Sequence, residues 1–334
     1  MSKILVTGGA GFIGSHLVEE LVNRGHDVVA LDDLSGGFVD NVVEGARFVK
    51  ADITDVETIN DLFAAEQFEY VYHLAAYAAE GLSHFIKHFN YTNNLIGSVN
   101  LINASINTDV KCFVFTSSIA VYGTSAELPM TEETIPHPED SYGVAKLAVE
   151  HELAACKEMF DLNYVVFRPH NVYGERQNIG DKYRNVVGIF MNQLLQGKPM
   201  SVFGDGSQSR AFSYIGDMTP IMADAIHMPE AYNQVFNIGA DTPYSVNDLA
   251  TAVAKAMNIE LDLIHLPARN EVWHAYSSHA KVQRVFGERP LTSLDDGLKR
   301  MADWVKQHGA RSSSEFGNIE VTKNFPKAWL LQKS

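Results

Sequence analysis

Residues 7–14 read TGGAGFIG. Gly8, Gly11 and Gly14 stand at GxxGxxG spacing between an apolar stretch, Ile4–Val6, and a helical pattern over Phe12–Val22. In a strand–turn–helix unit such glycines allow a tight turn, let the backbone approach a pyrophosphate and let the helix pack close on the strand. The helix start then offers free N–H groups and a positive partial charge to phosphate. The next apolar stretch, Val28–Leu31, runs into Asp32. A carboxylate there can bond both ribose hydroxyls and would repel a 2′-phosphate, so the pattern reads as a site for NAD rather than NADP.

Outward from this unit the alternation continues. Arg47–Val49, Tyr70–His73, Cys112–Phe115 and Tyr164–Phe167 read as further strands, spaced widely enough for crossover helices. Continuous apolar strands with helices between them predict an α/β fold, a Rossmann-type doubly wound parallel sheet. Asp52–Ile53 is read as closing the third strand and His73-Leu74-Ala75-Ala76 the fourth, both facing the cofactor crevice. The second half reads as helices over Arg184–Gln196, Asp217–His227, Val246–Met257 (with Ser245 as N-cap) and Leu294–Gln307, and strands over Val235–Ile238 and Leu261–His265. The expected division is a Rossmann lobe of residues 1–170 plus about 213–240. A smaller C-terminal α/β substrate lobe takes about 171–212 plus 241–308, and 309–334 is a C-terminal extension. The extension opens with GARSSSEFG, linker-like, and ends in FPKAWLL, apolar enough to dock.

The chain has 334 residues, long enough for two lobes. With 26 basic and 41 acidic residues its net charge is −15, which argues against nucleic acid or an anionic membrane as partner. No apolar run approaches a bilayer span, and the N-terminus lacks a signal-peptide layout. The two cysteines, Cys112 and Cys156, fit a reducing cytoplasm. No histidine pair has metal-ligand spacing with a carboxylate partner, so no metal is expected.

The chemistry is read at TSSIAVYG, residues 116–123, and at Tyr142-Gly-Val-Ala-Lys146. Tyr142 and Lys146 share a helix face at i, i+4. A lysine ammonium there favours tyrosinate, which could take a proton from a sugar hydroxyl, and Ser118 would hold that oxygen. Glycine loop, strand-end serine and YxxxK together are far more specific than any one of them.

With DDLS, HLAA, NNLIGS, RPHNVYG, GDGSQSRAFSYIGDM and ARNEVWHAY added, the sequence resembles an extended short-chain dehydrogenase/reductase of the nucleotide-sugar epimerase/dehydratase group. The resemblance runs from about residue 3 to 306 and is closest to the UDP-hexose 4-epimerases. It implies NAD held by Gly8, Gly11, Phe12, Ile13, Gly14, Asp32, Asp33, Ser35, Asp52, Ile53, Leu74, Ala75, Ala76, Asn94, Ser117, Tyr142, Lys146 and Pro169. Ser118, Tyr142 and Lys146 would be catalytic. A UDP-sugar would meet Ser118, Asn171, Asn185, Val186, Val202, Phe203, Arg210 and Arg269, with Ala275 beside the sugar, leaving room for a 2-N-acetyl group. Dehydratases of the group carry acidic residues where Ile119 and Ala120 stand, so elimination is disfavoured and 4-epimerisation through a 4-keto sugar is expected. UDP-glucuronate stays open through Arg184. Weighed against these are a one-way reductase and a non-catalytic nucleotide-sugar binder. The resemblance also implies a homodimer, pairing Phe85–Ile106 and Ser141–Phe160 with their copies.

Overall fold

The computed structural model describes residues 1–181, 183–268, 271–311, 316–326 and 329. The first half alternates as the sequence requires: β1 (Lys3–Thr7), α1 (Phe12–Asn23), β2 (Asp27–Asp32), β3 (Arg47–Lys50), α2 (Val56–Glu66) and β4 (Tyr70–His73). One long helical stretch follows, α3 (Glu80–Ser83), α4 (Lys87–Tyr91), a π-helical turn over Thr92–Ile96 and α5 (Gly97–Asn107). Then come β5 (Cys112–Thr116), α6 (Ser141–Phe160) and β6 (Tyr164–Pro169). The second half has β7 (Val172–Tyr173), α7 (Val186–Leu195), β8 (Met200–Phe203), β9 (Ser209–Ala211), β10 (Ser213–Tyr214), α8 (Ile215–Asp224) and β11 (Gln234–Ile238). It continues through β12 (Pro243–Ser245), α9 (Val246–Met257), β13 (Leu263–Leu266), β14 (His274–Ala275), α10 (Ala280–Phe286) and α11 (Leu294–His308).

Seven strands form one parallel sheet in the order β11-β6-β5-β4-β1-β2-β3. The strand order reverses between β1 and β4, and in such sheets ligands bind outside the carboxyl ends at that point. Both faces are covered: one core packs α1 and α8 against the sheet, the other packs α2, α5 and α6. β11 returns the chain to this sheet beside β6, in register from Gln234 with Val165 to Ile238 with Pro169. Outside it, β9 pairs with β12 and β14, and β8 pairs with β13. Among the described residues no helix is long and apolar enough to cross a membrane.

Several element boundaries differ from the sequence reading, among them β13, which starts at Leu263 and not Leu261. β3 ends at Lys50, because the Asp52 side chain accepts from the N–H and hydroxyl of Thr54, both at 2.8 Å, and makes a turn. Asp52 and Ile53 therefore lie beyond the strand. α7 starts at Val186, not Arg184, because Asn185 is left-handed with φ 63°. The helix read over Asp217–His227 is α8 followed by a 3₁₀ turn at Ala225–His227. α9 matches its reading, with Ser245 and Asp248 forming a reciprocal capping box. The linker-like stretch lies partly outside the described residues.

Candidate active site

The glycine turn is shaped by what a side chain would strike. Gly8 has φ +71°, and a Cβ there would come within 2.8 Å of Ala75 N. A Cβ on Gly14 would sit 1.9 Å from Gly8 O, a backbone atom that has nowhere to go. No side chain caps α1, so its first amides face the crevice. At the end of β2, Asp32 accepts from Ala10 N (3.1 Å) and Leu34 N (2.8 Å), and burial raises its carboxyl above the usual range. Asp33 accepts from Ser35 N and Oγ, which shapes the loop after β2.

These residues line a cavity of about 1220 Å³, larger than the ~300–1,000 Å³ of an ordinary ligand pocket. Gly8, Gly11, Phe12, Ile13, Gly14, Asp32, Asp33 and Ser35 line one end. Asp52, Ile53, Leu74, Ala75, Ala76 and Pro169 continue its wall. The glycine cradle, the uncapped helix start and the Asp32 carboxylate at the cavity wall fit NAD. Gly14→Ala is expected to weaken NAD binding by at least about tenfold, read by calorimetric titration.

Ser117, Ser118, Tyr142 and Lys146 line the same cavity. α6 carries the last two on a face that also buries Ala145, Val149, Glu150 and Leu153, and Asp140 caps its start by accepting from Gly143 N at 2.8 Å. Tyr142 is 6% exposed, and the Ser118 side chain beside it favours its ionised form. Lys146 Nζ donates to Thr116 O at 2.8 Å, and it lies 4.6 Å from the Phe115 ring centre and 5.7 Å from that of Tyr142. Burial holds Tyr142 well above the ordinary tyrosine range, with the Glu80 charge adding to it, and lowers Lys146 to about 7 against the pull of Glu150. Among the protein's own groups, desolvation outweighs what draws the phenol down.

Of the residues expected at the substrate end, Asn171, Asn185, Val186, Phe203 and Arg210 line the cavity. Arg210 is oriented by backbone carbonyls, Nη1 donating to Ser209 O and Trp273 O and Nη2 to Val272 O. Val202, Asn94 and Ala275 do not form part of the wall. Val202, on β8, points into the core. Asn94 Oδ1 accepts from Tyr77 N and its Nδ2 donates to Tyr77 O, so it holds the post-β4 segment from behind. Ala275 packs with Ile119, Val121 and Met130, and Val272 lines the cavity there instead. Arg269 lies outside the described residues. Arg184 Nε is already bonded to Asp181 at 2.7 Å, and its guanidinium stacks on Tyr77 at 4.6 Å.

The sequence reading missed two networks. Glu150, one turn beyond Lys146, accepts from Ser117 Oγ at 2.5 Å and from Arg168 Nε at 3.0 Å. Arg168 in turn stacks on Tyr122, whose hydroxyl donates to Asn237. The i+4 spacing from Lys146 was the available signal. The second network joins Asp241, His279 and His170: His279 Nδ1 meets Asp241 Oδ1 at 2.6 Å and His170 Nε2 lies 3.0 Å from His279 Nε2. His170 Nδ1 and Asn171 Nδ2 both donate to Ala211 O, which fixes Asn171 at φ 40°. Three separate stretches meet there, and no local pattern announces it.

The profile of a family described as "NAD dependent epimerase/dehydratase family" matches residues 4–239. The chain belongs to that family. It is 34% identical over 311 residues to a UDP-glucose 4-epimerase of Mycolicibacterium smegmatis, covering 91% of this chain and 98% of that one. A solved UDP-glucose 4-epimerase of Thermotoga maritima with UDP-glucose superposes with TM-score 0.87 at 35% identity, covering 92% of this chain and 99% of that one. A solved UDP-N-acetylglucosamine 4-epimerase of Methanobrevibacter ruminantium, in complex with UDP-N-acetylmuramic acid, gives TM-score 0.86 at 28% identity, with the same coverage. Family membership agrees with the resemblance, the Rossmann-type fold and the NAD reading drawn from the motifs.

Proposed function

We propose that this chain is an NAD-dependent 4-epimerase of UDP-hexoses, interconverting UDP-glucose and UDP-galactose through a transient 4-keto sugar. The observation that carries the proposal is the meeting of Ser118, Tyr142 and Lys146 in one cavity while Ile119, next to Ser118, packs into an apolar cluster. NAD, when bound, supplies a reversible hydride acceptor. Tyr142 Oη takes the proton of the 4-hydroxyl and later returns it, and Ser118 Oγ holds the oxygen while it does so. Lys146, anchored on Thr116 O, supports the phenolate from the same helix face. Asn171, Asn185 and Arg210 hold the nucleotide diphosphate, Arg210 with a fixed charge and forked donors.

UDP-GlcNAc and UDP-GalNAc are the second substrate pair, supported by the large cavity and by the name of the Methanobrevibacter neighbour. Ala275, packed away from the cavity, no longer supports that pair. Arg184 lines the cavity but shares its charge with Asp181 through Nε, which weakens the UDP-glucuronate reading. The test is to incubate the protein with NAD⁺ and either UDP-glucose or UDP-GlcNAc and follow the products by proton NMR. The 4-epimer without net NADH is the expected product. Net NADH, or no change in either sugar, would sink the reading.

The same proposal divides the chain into the NAD lobe, 1–170 plus about 213–240, and the substrate lobe, about 171–212 plus 241–308. The return of β11 to the main sheet supports this. It places the protein in the cytoplasm, in keeping with two free, buried cysteines. It also makes the protein a homodimer through α4–α5 and α6. Ile96, in the π-helical turn between α4 and α5, and Val144, on α6, are 51% and 41% exposed, an arrangement that a partner copy would cover. Ile96→Glu with Val144→Glu is expected to yield a monomer in analytical ultracentrifugation where the unsubstituted chain sediments as a dimer.

A further inference from the structure

The chain beyond α11 turns back onto the molecule. Glu320 N and Val321 N both donate to Phe85 O, at 2.9 and 3.1 Å. The Glu320 carboxylate answers by accepting from His88 N (2.7 Å) and Phe89 N (2.9 Å). Four hydrogen bonds thus tie this segment to the stretch that follows β4. Aromatic contacts complete the tie: Phe316 lies 4.8 Å from Phe89 and Phe325 5.0 Å from Phe85, ring centre to ring centre.

Trp329 bridges two banks of the cleft. On one bank a Cβ added to Gly81 would lie 3.4 Å from its ring, and its centroid is 6.2 Å from that of Phe85. On the other it meets Tyr183 edge-on at 5.3 Å, two residues before the substrate-facing Asn185. Trp329 is 6% exposed, and Lys323, Asn324 and Pro326 line the same cavity as Ser118 and Tyr142. The matches to solved relatives use 99% of their length but 92% of this chain. That remainder is the size of the stretch beyond α11.

We propose that Phe316–Pro326 together with Trp329 form a wall of the sugar end of the cavity, and that this wall retains the sugar through turnover. The inference rests on the epimerase reading and deepens it. Epimerisation needs the oxidised sugar to turn over inside the site and be reduced again. When C4 has given up a hydride and its hydroxyl proton, a sugar that leaves takes the carbonyl with it and strands the cofactor as NADH. A cleft crossed by Trp329 holds the sugar where the nucleotide contacts alone would leave one side without a wall.

The test compares the full chain with its Trp329→Ala and Glu320→Gln variants. Glu320→Gln loosens the tie without emptying the aromatic cluster, so it reports even if Trp329→Ala folds poorly. In a Tyr142→Phe background, whose turnover is expected to be about 10³-fold slower, dissociation of UDP-glucose and of UDP is followed by stopped-flow displacement. UDP-glucose is expected to leave on the order of tenfold faster from both variants, with UDP unchanged. In the active background, free 4-keto sugar and an equal amount of NADH are expected to accumulate beside the epimer. Unchanged UDP-glucose dissociation, or an equal acceleration for UDP, overturns the wall. A full chain that holds UDP-glucose tightly yet never epimerises it sinks the epimerase reading, while the dissociation rates still decide the wall.

Discussion

Tyr142→Phe is expected to lower kcat by about 10³-fold, within the ~10²–10⁴ that a positioned acid–base group contributes, while leaving NAD affinity within about twofold. The change removes one oxygen from a buried ring and leaves its packing. Lys146 cannot stand in, because its Nζ is committed to Thr116 O and lies 5.7 Å from the Tyr142 ring centre. Ser118 Oγ already accepts from Ala120 N at 3.1 Å and has no base behind it in the described network. The pH profile carries the sign. Burial and Glu80 hold the phenol above its ordinary range, so the protein's own groups favour the neutral acid. The base form therefore grows as pH rises, and kcat/KM should climb from neutral to alkaline pH. Glu80→Gln removes a like charge, lowers the phenol's pKa and should move that limb to lower pH. A limb that stays put or moves up would remove Glu80 from the account. Steady-state kinetics by coupled assay across pH, with NAD saturating, reads kcat and the position of the limb, and calorimetric titration reads NAD affinity.

What could be read in the sequence was what local backbone geometry dictates. Gly8 and Gly14 stand where a Cβ would strike backbone, so only glycine serves, and the pattern is visible without a fold. Ser245 caps α9 through a local contact and was legible as its N-cap, whereas its reciprocal partner Asp248 emerged only in the structure. The boundaries that slipped did so through single side chains: Asp52 turning the chain onto Thr54, and Asn185 adopting a left-handed conformation. Ala275 was placed by resemblance beside the sugar. Its burial against Ile119 and Met130 depends on a partner cluster that no spacing encodes. FPKAWLL reads as apolar enough to dock, but the place where its described residues Phe325 and Trp329 pack, around Phe85, lies far away in sequence.

The Glu150–Arg168 pair sets the second large effect. Glu150→Ala is expected to cost about 3–5 kcal/mol, because it strands a buried guanidinium. The two side chains are 6% and 5% exposed, and Arg168 Nη1 already lacks a hydrogen-bond partner among the described residues. Water cannot easily repair the loss, and the unfolding midpoint in calorimetry should fall on the order of 10 °C. Replacing both partners by apolar groups, Glu150→Leu with Arg168→Met, removes the stranded charge and should recover most of the stability. It should not recover activity. Glu150 also accepts the Ser117 hydroxyl at the cavity wall, and its charge is what holds Lys146 up against desolvation. Without it Lys146 falls below about 7 and gives up its charge at neutral pH, just where Tyr142 needs that charge. A double variant that is stable yet slow would therefore separate the pair's two roles. A loss below about 1 kcal/mol in Glu150→Ala would mean that the pair is solvated in a way its burial does not allow.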